Sequence, residues 1–122
     1  MSDKNTFFPA TVVKVLDEYL VVINRGSDHG IKKGDAFLVY FVEGEELRDP
    51  NTGEALGHLE VVRGSGSATH VQPKLTTLRT NRTTSSRTVR AGGLAALYSP
   101  LEQEVKLVPY EDAAVGDLAK PI

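Results

Sequence analysis

The feature that most constrains the fold is a succession of short runs rich in β-branched residues, each ended by turn-forming residues. Such side chains favour extended backbone, whereas Gly, Pro, Asn and Asp favour turns. No sustained helical period of apolar residues occurs before residue 100, so helices are not expected there. The predicted strands are Ala10–Leu16, Tyr19–Asn24, Ala36–Val42, Leu56–Arg63 and Ser67–Gln72, with Glu102–Val108 and Leu118–Ile122 near the end.

Short strands at this spacing predict an all-β fold, a small antiparallel barrel of the SH3-like or OB-like type. An Arg/Thr/Ser-rich loop follows the barrel core, and the last predicted strand returns to the barrel. We therefore treat the chain as one domain with four parts. These are an N-terminal arm (1–9), the barrel core (10–78), the Arg/Thr/Ser-rich loop (79–93) and a C-terminal segment that packs back on the barrel (94–122).

Alternation along the strands predicts which side chains form the core. The expected buried cluster is Val13, Val15, Val22, Phe37, Val39, Leu59, Val61 and Val71. Apolar residues of the C-terminal segment should dock on this barrel, because they would otherwise remain in water. These docking residues are Leu107, Val108, Val115 and Leu118.

Several glycines and aspartates stand where the chain must turn. Three glycines within nine residues predict positive φ angles between the second and third strands. The segment 64–66, Gly-Ser-Gly, is interpreted as a hairpin turn that joins the runs 56–63 and 67–72. The residues assigned to turns are Gly26, Gly30, Gly34, Asp35, Gly53, Gly116 and Asp117.

The chain is nearly neutral, with 14 basic and 16 acidic residues among 122, but its charge is unevenly spread. Residues 79–90 contain four arginines and no acid, while the segments on either side each have a formal charge of −3. We interpret residues 79–93 as a solvated loop, or alternatively as an arm that contacts phosphates or an acidic surface. The four arginines are Arg79, Arg82, Arg87 and Arg90.

The sequence does not indicate an enzyme, and no cofactor is expected. Cysteine is absent, which excludes disulfides and thiolate metal sites. Neither a serine-nucleophile motif nor a phosphate-binding glycine loop occurs in its required context. Asp49, Asn51 and Glu54 do not match a calcium loop, because the loop glycine is displaced and the closing glutamate is missing.

One metal-dependent alternative stays open. His58 and Glu60 share a face of the predicted strand 56–63. His70 would lie across from them if the runs 56–63 and 67–72 pair as a hairpin. Imidazole and carboxylate groups so arranged are ligands that zinc or nickel accepts.

The stretch 21–40 carries a recognisable pattern: a strand, Asn24-x-Gly26, then Gly30-Ile31-x-x-Gly34-Asp35 and another strand. This pattern resembles the C-terminal β-barrel domain of flagellar assembly protein T, and small uncharacterised bacterial proteins carry it as their whole length. The turn 49–54, Leu-Gly at 56–57, Thr-His-Val-Gln at 69–72 and Val-Gly-Asp at 115–117 are similar too. The resemblance covers residues 10–78 together with residues 115–117, and it implies a barrel and a part in an assembly.

The sequence therefore favours a non-catalytic bacterial scaffold or assembly module that acts through protein–protein contacts. Its expected partner is a second copy of itself or another protein. The alternative is sequence-independent binding of nucleic acid or another polyanion through the arginines of residues 79–90. Neither a membrane span nor a secretory signal is visible in the sequence, so the expected location is cytoplasmic.

Overall fold

The computed structural model describes residues 7–88 and 102–122, which form β-strands and a short 3₁₀ helix at Ser27–His29. Residues 1–6 and 89–101, which include the predicted site residue Arg90, lie outside the described residues. No helix in the described ranges is long and apolar enough to cross a membrane. The strands are β1 (Ala10–Asp17), β2 (Leu20–Ile23), β3 (Ala36–Arg48), β4 (Ala55–Val71), β5 (Thr76–Thr80), β6 (Thr83–Thr88), β7 (Glu102–Leu107) and β8 (Leu118–Pro121).

Six of these strands close into an antiparallel barrel in the order β1-β2-β5-β4-β3-β8, which confirms the predicted fold class. The predicted return of the C-terminal strand is also confirmed, because β8 lies between β1 and β3. Ala119 of β8 pairs with Ala10 on one side and with Val39 on the other. Closure removes the open edges that a flat sheet would leave. Within the part of the chain that the structure describes, β6 and β7 pair only with each other and form a separate two-stranded sheet.

The buried core differs in register from the predicted one. Phe37 and Val39 are buried as predicted, but Val13 is 42% exposed and Leu59 is 48% exposed. Irregularities in the pairing of β1 with β2 interrupt the alternation at Val13, so Val12 faces the core instead. The other four predicted residues, Val15, Val22, Val61 and Val71, are half-buried. The observed core is Ala10, Val12, Val21, Ile23, Ile31, Phe37, Val39, Ala68, Leu78, Tyr110 and Ala119.

The predicted hairpin turn at 64–66 is wrong. Strand β4 runs without a break through Gly64 and Gly66, and the turn to β5 lies at residues 72–75 instead, where the Gln72 amide donates to the Leu75 carbonyl. The glycines serve packing, because the Tyr110 ring lies where their side chains would be. A Cβ on Gly64 would come within 2.9 Å of that ring, and a Cβ on Gly66 would overlap the Tyr110 hydroxyl.

The turn between β2 and β3 agrees with the prediction at two of its three glycines. Gly30 and Gly34 have φ angles of 84° and 95°. Gly26 has φ −148°, which is ordinary extended backbone, so positive φ is wrong there. Glycine is required at this position for space, because a Cβ would overlap the carbonyl oxygen of Gln72. The Asp35 carboxylate accepts a hydrogen bond from the Lys32 amide at 2.9 Å and closes the turn.

The prediction of a loop at residues 79–93 is wrong for the described part, residues 79–88, most of which lies in strands. Arg79 and Thr80 end β5, and residues 83–88 form β6, which has a complete register with β7. Threonine-rich segments are extended where a partner strand supplies hydrogen bonds. Thr80 is buried, and its hydroxyl donates to the Val108 carbonyl at 2.6 Å. In the C-terminal segment, Leu107, Val108 and Leu118 are half-buried, whereas Val115 is 66% exposed and does not dock.

Candidate protein-docking surface

Residues 41–62 extend β3 and β4 past the end of the barrel. Strand β3 pairs with β4 on one side and with β8 on the other, but β8 pairs with it only over Phe37–Tyr40. Strand β4 likewise pairs with β5 on the side away from β3, but only from Gly66 onward. Between these limits, no other described residue pairs with the two strands, which pair with each other, and Val42 opposite Glu60 is typical of their register. We call residues 41–62 the acidic ribbon.

The acidic ribbon exposes apolar side chains on both of its faces. Among the described residues, eleven large apolar side chains are exposed, and six of them belong to this ribbon. Phe41 and Val42 are adjacent in β3 and therefore point to opposite faces, yet both are exposed. The six residues are Phe41, Val42, Leu47, Leu56, Leu59 and Val62, and the most exposed is Leu56 at 63%.

The ribbon also concentrates negative charge. Six carboxylates and one arginine give residues 41–62 a formal charge of −5 in a chain whose total is −2. Arg48 pairs with Glu46 at 2.9 Å, and both side chains remain largely in solvent. An exposed pair of this kind adds little stability. The carboxylates are those of Glu43, Glu45, Glu46, Asp49, Glu54 and Glu60.

A tight turn closes the far end of the ribbon, as predicted for residues 49–54. The Asp49 carboxylate accepts from the Asn51 amide at 2.7 Å, and the Asp49 carbonyl accepts from the Gly53 amide at 2.8 Å. Gly53 has φ 74°, which glycine adopts without strain. The Asp49 carboxylate and carbonyl therefore both stabilise the turn in which Asp49 lies.

Two cations contact the ribbon where it leaves the barrel. The Lys120 ammonium of β8 contacts the Glu60 carboxylate at 3.0 Å and lies 4.7 Å from the centre of the Tyr40 ring. The hydrogen bond to Glu60 raises the pKa of Lys120, and burial raises the pKa of the Tyr40 phenol. On the other side, the Arg63 guanidinium lies 5.3 Å from the centre of the Phe41 ring.

Arg63 is the more buried of these two cations. Its Nε lies 3.3 Å from the carboxylate of Asp117, which is buried and also accepts from the Ala114 amide at 2.8 Å. The Nε has no aligned hydrogen-bond acceptor within the described part of the chain, so the contact is an ion pair. The predicted turn residues Gly116, with φ 100°, and Asp117 thus place a carboxylate against the base of the ribbon.

An unsupported two-stranded ribbon is marginally stable in water, and it presents unpaired backbone groups along both edges. Another polypeptide can use such an edge by adding a strand, which supplies backbone hydrogen bonds and covers the neighbouring apolar side chains. The acidic ribbon therefore has the properties of a docking surface for a protein.

The predicted arginines do not form one loop. Arg79 points outward from β5 and lines a shallow groove that includes Asp17, Tyr19 and Leu107. Arg82 is exposed in the short connection between β5 and β6, and Arg87 belongs to β6. Both Arg79 and Arg82 project into solvent, so the structure leaves their charges on the surface.

The metal alternative on His58, Glu60 and His70 is wrong. It depended on a hairpin at residues 64–66, but all three residues belong to the continuous strand β4. His70 thus lies ten positions along the same strand from Glu60, and the His58 imidazole contacts the Glu43 carbonyl at 3.0 Å. Within residues 7–88 and 102–122, no group of three histidine or carboxylate side chains is placed to hold a metal ion.

Sequence reasoning missed the acidic ribbon and the packing of Tyr110. The runs 36–42 and 56–63 lie on either side of the turn 49–54, which was the available signal for one long hairpin. Charged residues at 43–46 concealed it, since they break the apolar alternation. The sequence contains no local signal that places Tyr110 over β4, because the two segments are far apart in the chain.

Comparison with known proteins adds no family to these observations. No protein-family model matches the sequence, and no curated protein matches it.

Proposed function

We propose that the protein is a non-catalytic assembly module and that the acidic ribbon is the surface through which it contacts other protein. The observation that carries this proposal is the six exposed apolar side chains on a ribbon with open edges. Exposed apolar side chains that are clustered rather than scattered mark interaction surfaces. The resemblance to the barrel domain of flagellar assembly protein T agrees with a role in assembly.

The contact would combine two kinds of interaction. A strand added to an open edge of the ribbon supplies backbone hydrogen bonds without dependence on side-chain identity. Burial of Leu56 and Leu59 then contributes apolar area, and the carboxylates select a basic partner. The barrel has the separate task of holding the ribbon, through Lys120 at Glu60 and through Arg63 at Phe41.

A photo-crosslinking amino acid at Leu47 tests this proposal in living cells of the source organism. Covalent adducts to defined proteins are expected from this position, because it lies on the ribbon. The double variant Leu56→Ser, Leu59→Ser should abolish these adducts, whereas the matched variant Leu16→Ser, an equally exposed position of β1, should keep them. Absence of adducts at Leu47, or equal adducts from the same amino acid at Val115, would refute the proposal.

The second candidate is polyanion binding through the arginines. It is favoured by one observation, that Arg79 and Arg82 are exposed and make no ion pair among the described residues. Neutralising about four phosphates predicts a log–log salt slope of about −3 to −4 for binding to DNA. Fluorescence anisotropy with a random-sequence DNA measures this slope, and Arg79→Ser with Arg82→Ser should reduce it by about half.

A further inference from the structure

The molecule has a second open ribbon besides the acidic one. Strands β6 and β7 pair with each other over their full six residues, and within the described residues neither strand pairs with the barrel. Among the described residues, the outer edge of β6 thus presents unpaired backbone groups, as does the outer edge of β3 beyond Tyr40. Within residues 7–88 and 102–122, the chain therefore has two edges without a neighbouring strand.

The charges of these edges are opposite. Residues 82–88, which lead into and form β6, contain two arginines and no acid. Residues 41–48, the part of β3 beyond the barrel, contain three glutamates and one arginine. Strand β7 is a poorer match for an acidic edge, because Glu102 and Glu104 outnumber Lys106. Complementary charge across an interface guides association and excludes wrong partners.

We propose that β6 of one copy adds to the open edge of β3 in the acidic ribbon of a second copy. This inference rests on the proposed function and names its partner. Pairing of two acidic ribbons is disfavoured, because each has a formal charge of −5. The six residues of β6 fit within the free length of β3, residues 41–48. The contact joins different surfaces of the two copies, so each copy keeps one β6 and one ribbon for further neighbours.

The contact between β6 and β3 can be tested with the purified chain by reversing the charge of either edge. The acidic-edge variant carries Glu45→Lys and Glu46→Lys, and the β6 variant carries Arg82→Glu and Arg87→Glu. Each variant alone should associate at least tenfold more weakly than the wild type, because its two edges then carry like charge. The control, Glu18→Lys with Glu111→Lys, has the same charge change as the acidic-edge variant at positions outside both edges, and it should associate like the wild type.

A one-to-one mixture of the two reversed variants gives the decisive result. Its edges are complementary again, so sedimentation velocity should show association restored to near the wild-type level. The wild-type mass should rise with concentration beyond that of a dimer and fall with added salt. A wild type that stays monomeric up to millimolar concentration, or a mixture that stays monomeric, would overturn the inference.

Disulfide trapping keeps the inference testable if a reversed variant fails to fold. The chain has no cysteine, so any disulfide arises only from introduced residues. Glu45→Cys mixed with Ser85→Cys or Ser86→Cys should form a crosslinked heterodimer under mild oxidation, whereas Val115→Cys in place of Glu45→Cys should not. If no heterodimer forms while Leu47 still crosslinks a different protein in cells, the inference fails and the proposed function stands. If neither the heterodimer nor the Leu47 adducts form, both the inference and the proposed function are refuted.

Discussion

At the scale of single residues, the packing of Tyr110 shows how distant positions depend on each other. Tyr110 is 5% exposed, and its hydroxyl donates to the Leu78 carbonyl at 3.2 Å. The ring lies across Gly64 and Gly66, two positions of β4 that have no side chain. Its own backbone amide donates to the Glu18 carbonyl at 2.8 Å. One tyrosine thus connects the C-terminal segment to β4, β5 and the β1–β2 turn.

Replacing Gly66 by alanine should therefore destabilise the fold. The added methyl group overlaps the Tyr110 hydroxyl, so the ring must move and lose its hydrogen bond to Leu78. We expect the free energy of unfolding to fall by about 1–3 kcal/mol, as for overpacked cores. Urea unfolding measures this change. Gly44→Ala is the matched control, because nothing lies within 4 Å of its added methyl, and it should change stability by less than about 0.5 kcal/mol.

The same residue predicts how stability changes at alkaline pH. Burial raises the pKa of the Tyr110 phenol above its ordinary value of about 10. The contribution of the protonated Tyr110 phenol to the free energy of unfolding is fully present below about pH 10. It is lost as the pH rises further, because the unfolded chain then releases a proton that the folded chain retains. Tyr110→Phe should flatten the fall of unfolding free energy between about pH 9 and pH 11. Tyr19→Phe, which removes a solvent-accessible phenol, should leave most of that fall, and an unchanged slope in Tyr110→Phe would contradict the prediction.

At the scale of strands, sequence patterns predicted which segments are extended better than they predicted strand length and facing. The β-branched runs identify β1, β2 and β3 because propensity and turn residues agree there. The face of β1 was not predictable, since a bulge at Val13 depends on how β2 pairs with it. The continuity of β4 through Gly64 and Gly66 was not predictable either, because local rules assign glycine pairs to turns and only Tyr110 explains them.

The candidate site was predictable only in part. The sequence indicates the turn at residues 49–54, so it locates the tip of the acidic ribbon. It does not show that β5 and β8 end before the ribbon begins, which is what exposes Phe41 and Leu59. Exposure of an apolar strand depends on the whole sheet order, and long-range pairing carries no local signal.

Loss of apolar side chains should lower the free energy of unfolding little in the exposed ribbon and strongly in the buried barrel core. Leu56 and Leu59 are 63% and 48% exposed, so Leu56→Ser with Leu59→Ser should change the unfolding free energy by less than about 1 kcal/mol. Phe37 is 1% exposed in the barrel core, and Phe37→Ala should cost about 3–5 kcal/mol. Thermal and urea unfolding of purified variants measure both. A large loss in the ribbon variant would mean that its leucines serve the fold rather than a partner.

At the scale of the whole molecule, the barrel depends on a strand from the end of the chain. Strand β8 has only four residues, yet it pairs with β1 and with β3 and so joins the first and third strands of the sequence. The preceding turn supports it, since the Gly116 amide donates to the Val12 carbonyl at 2.9 Å and the Val12 amide donates to the Asp117 carbonyl at 2.7 Å. The C-terminal segment therefore supplies one of the six strands of the barrel.

Removal of residues 118–122 should consequently open the barrel. The truncated chain loses Ala119, which is fully buried, and leaves β1 and β3 with unpaired backbone groups facing each other across a gap. Open edges of this kind promote aggregation, so we expect an unfolded or aggregating product without a cooperative thermal transition. Removal of Ile122 alone, whose side chain is 68% exposed, is the control and should give a product that stays in solution and melts cooperatively, as the full chain does. A fragment 1–117 that stays dispersed and unfolds cooperatively in calorimetry would show that five strands close without β8, and the docking of the C-terminal segment would then be dispensable for the fold.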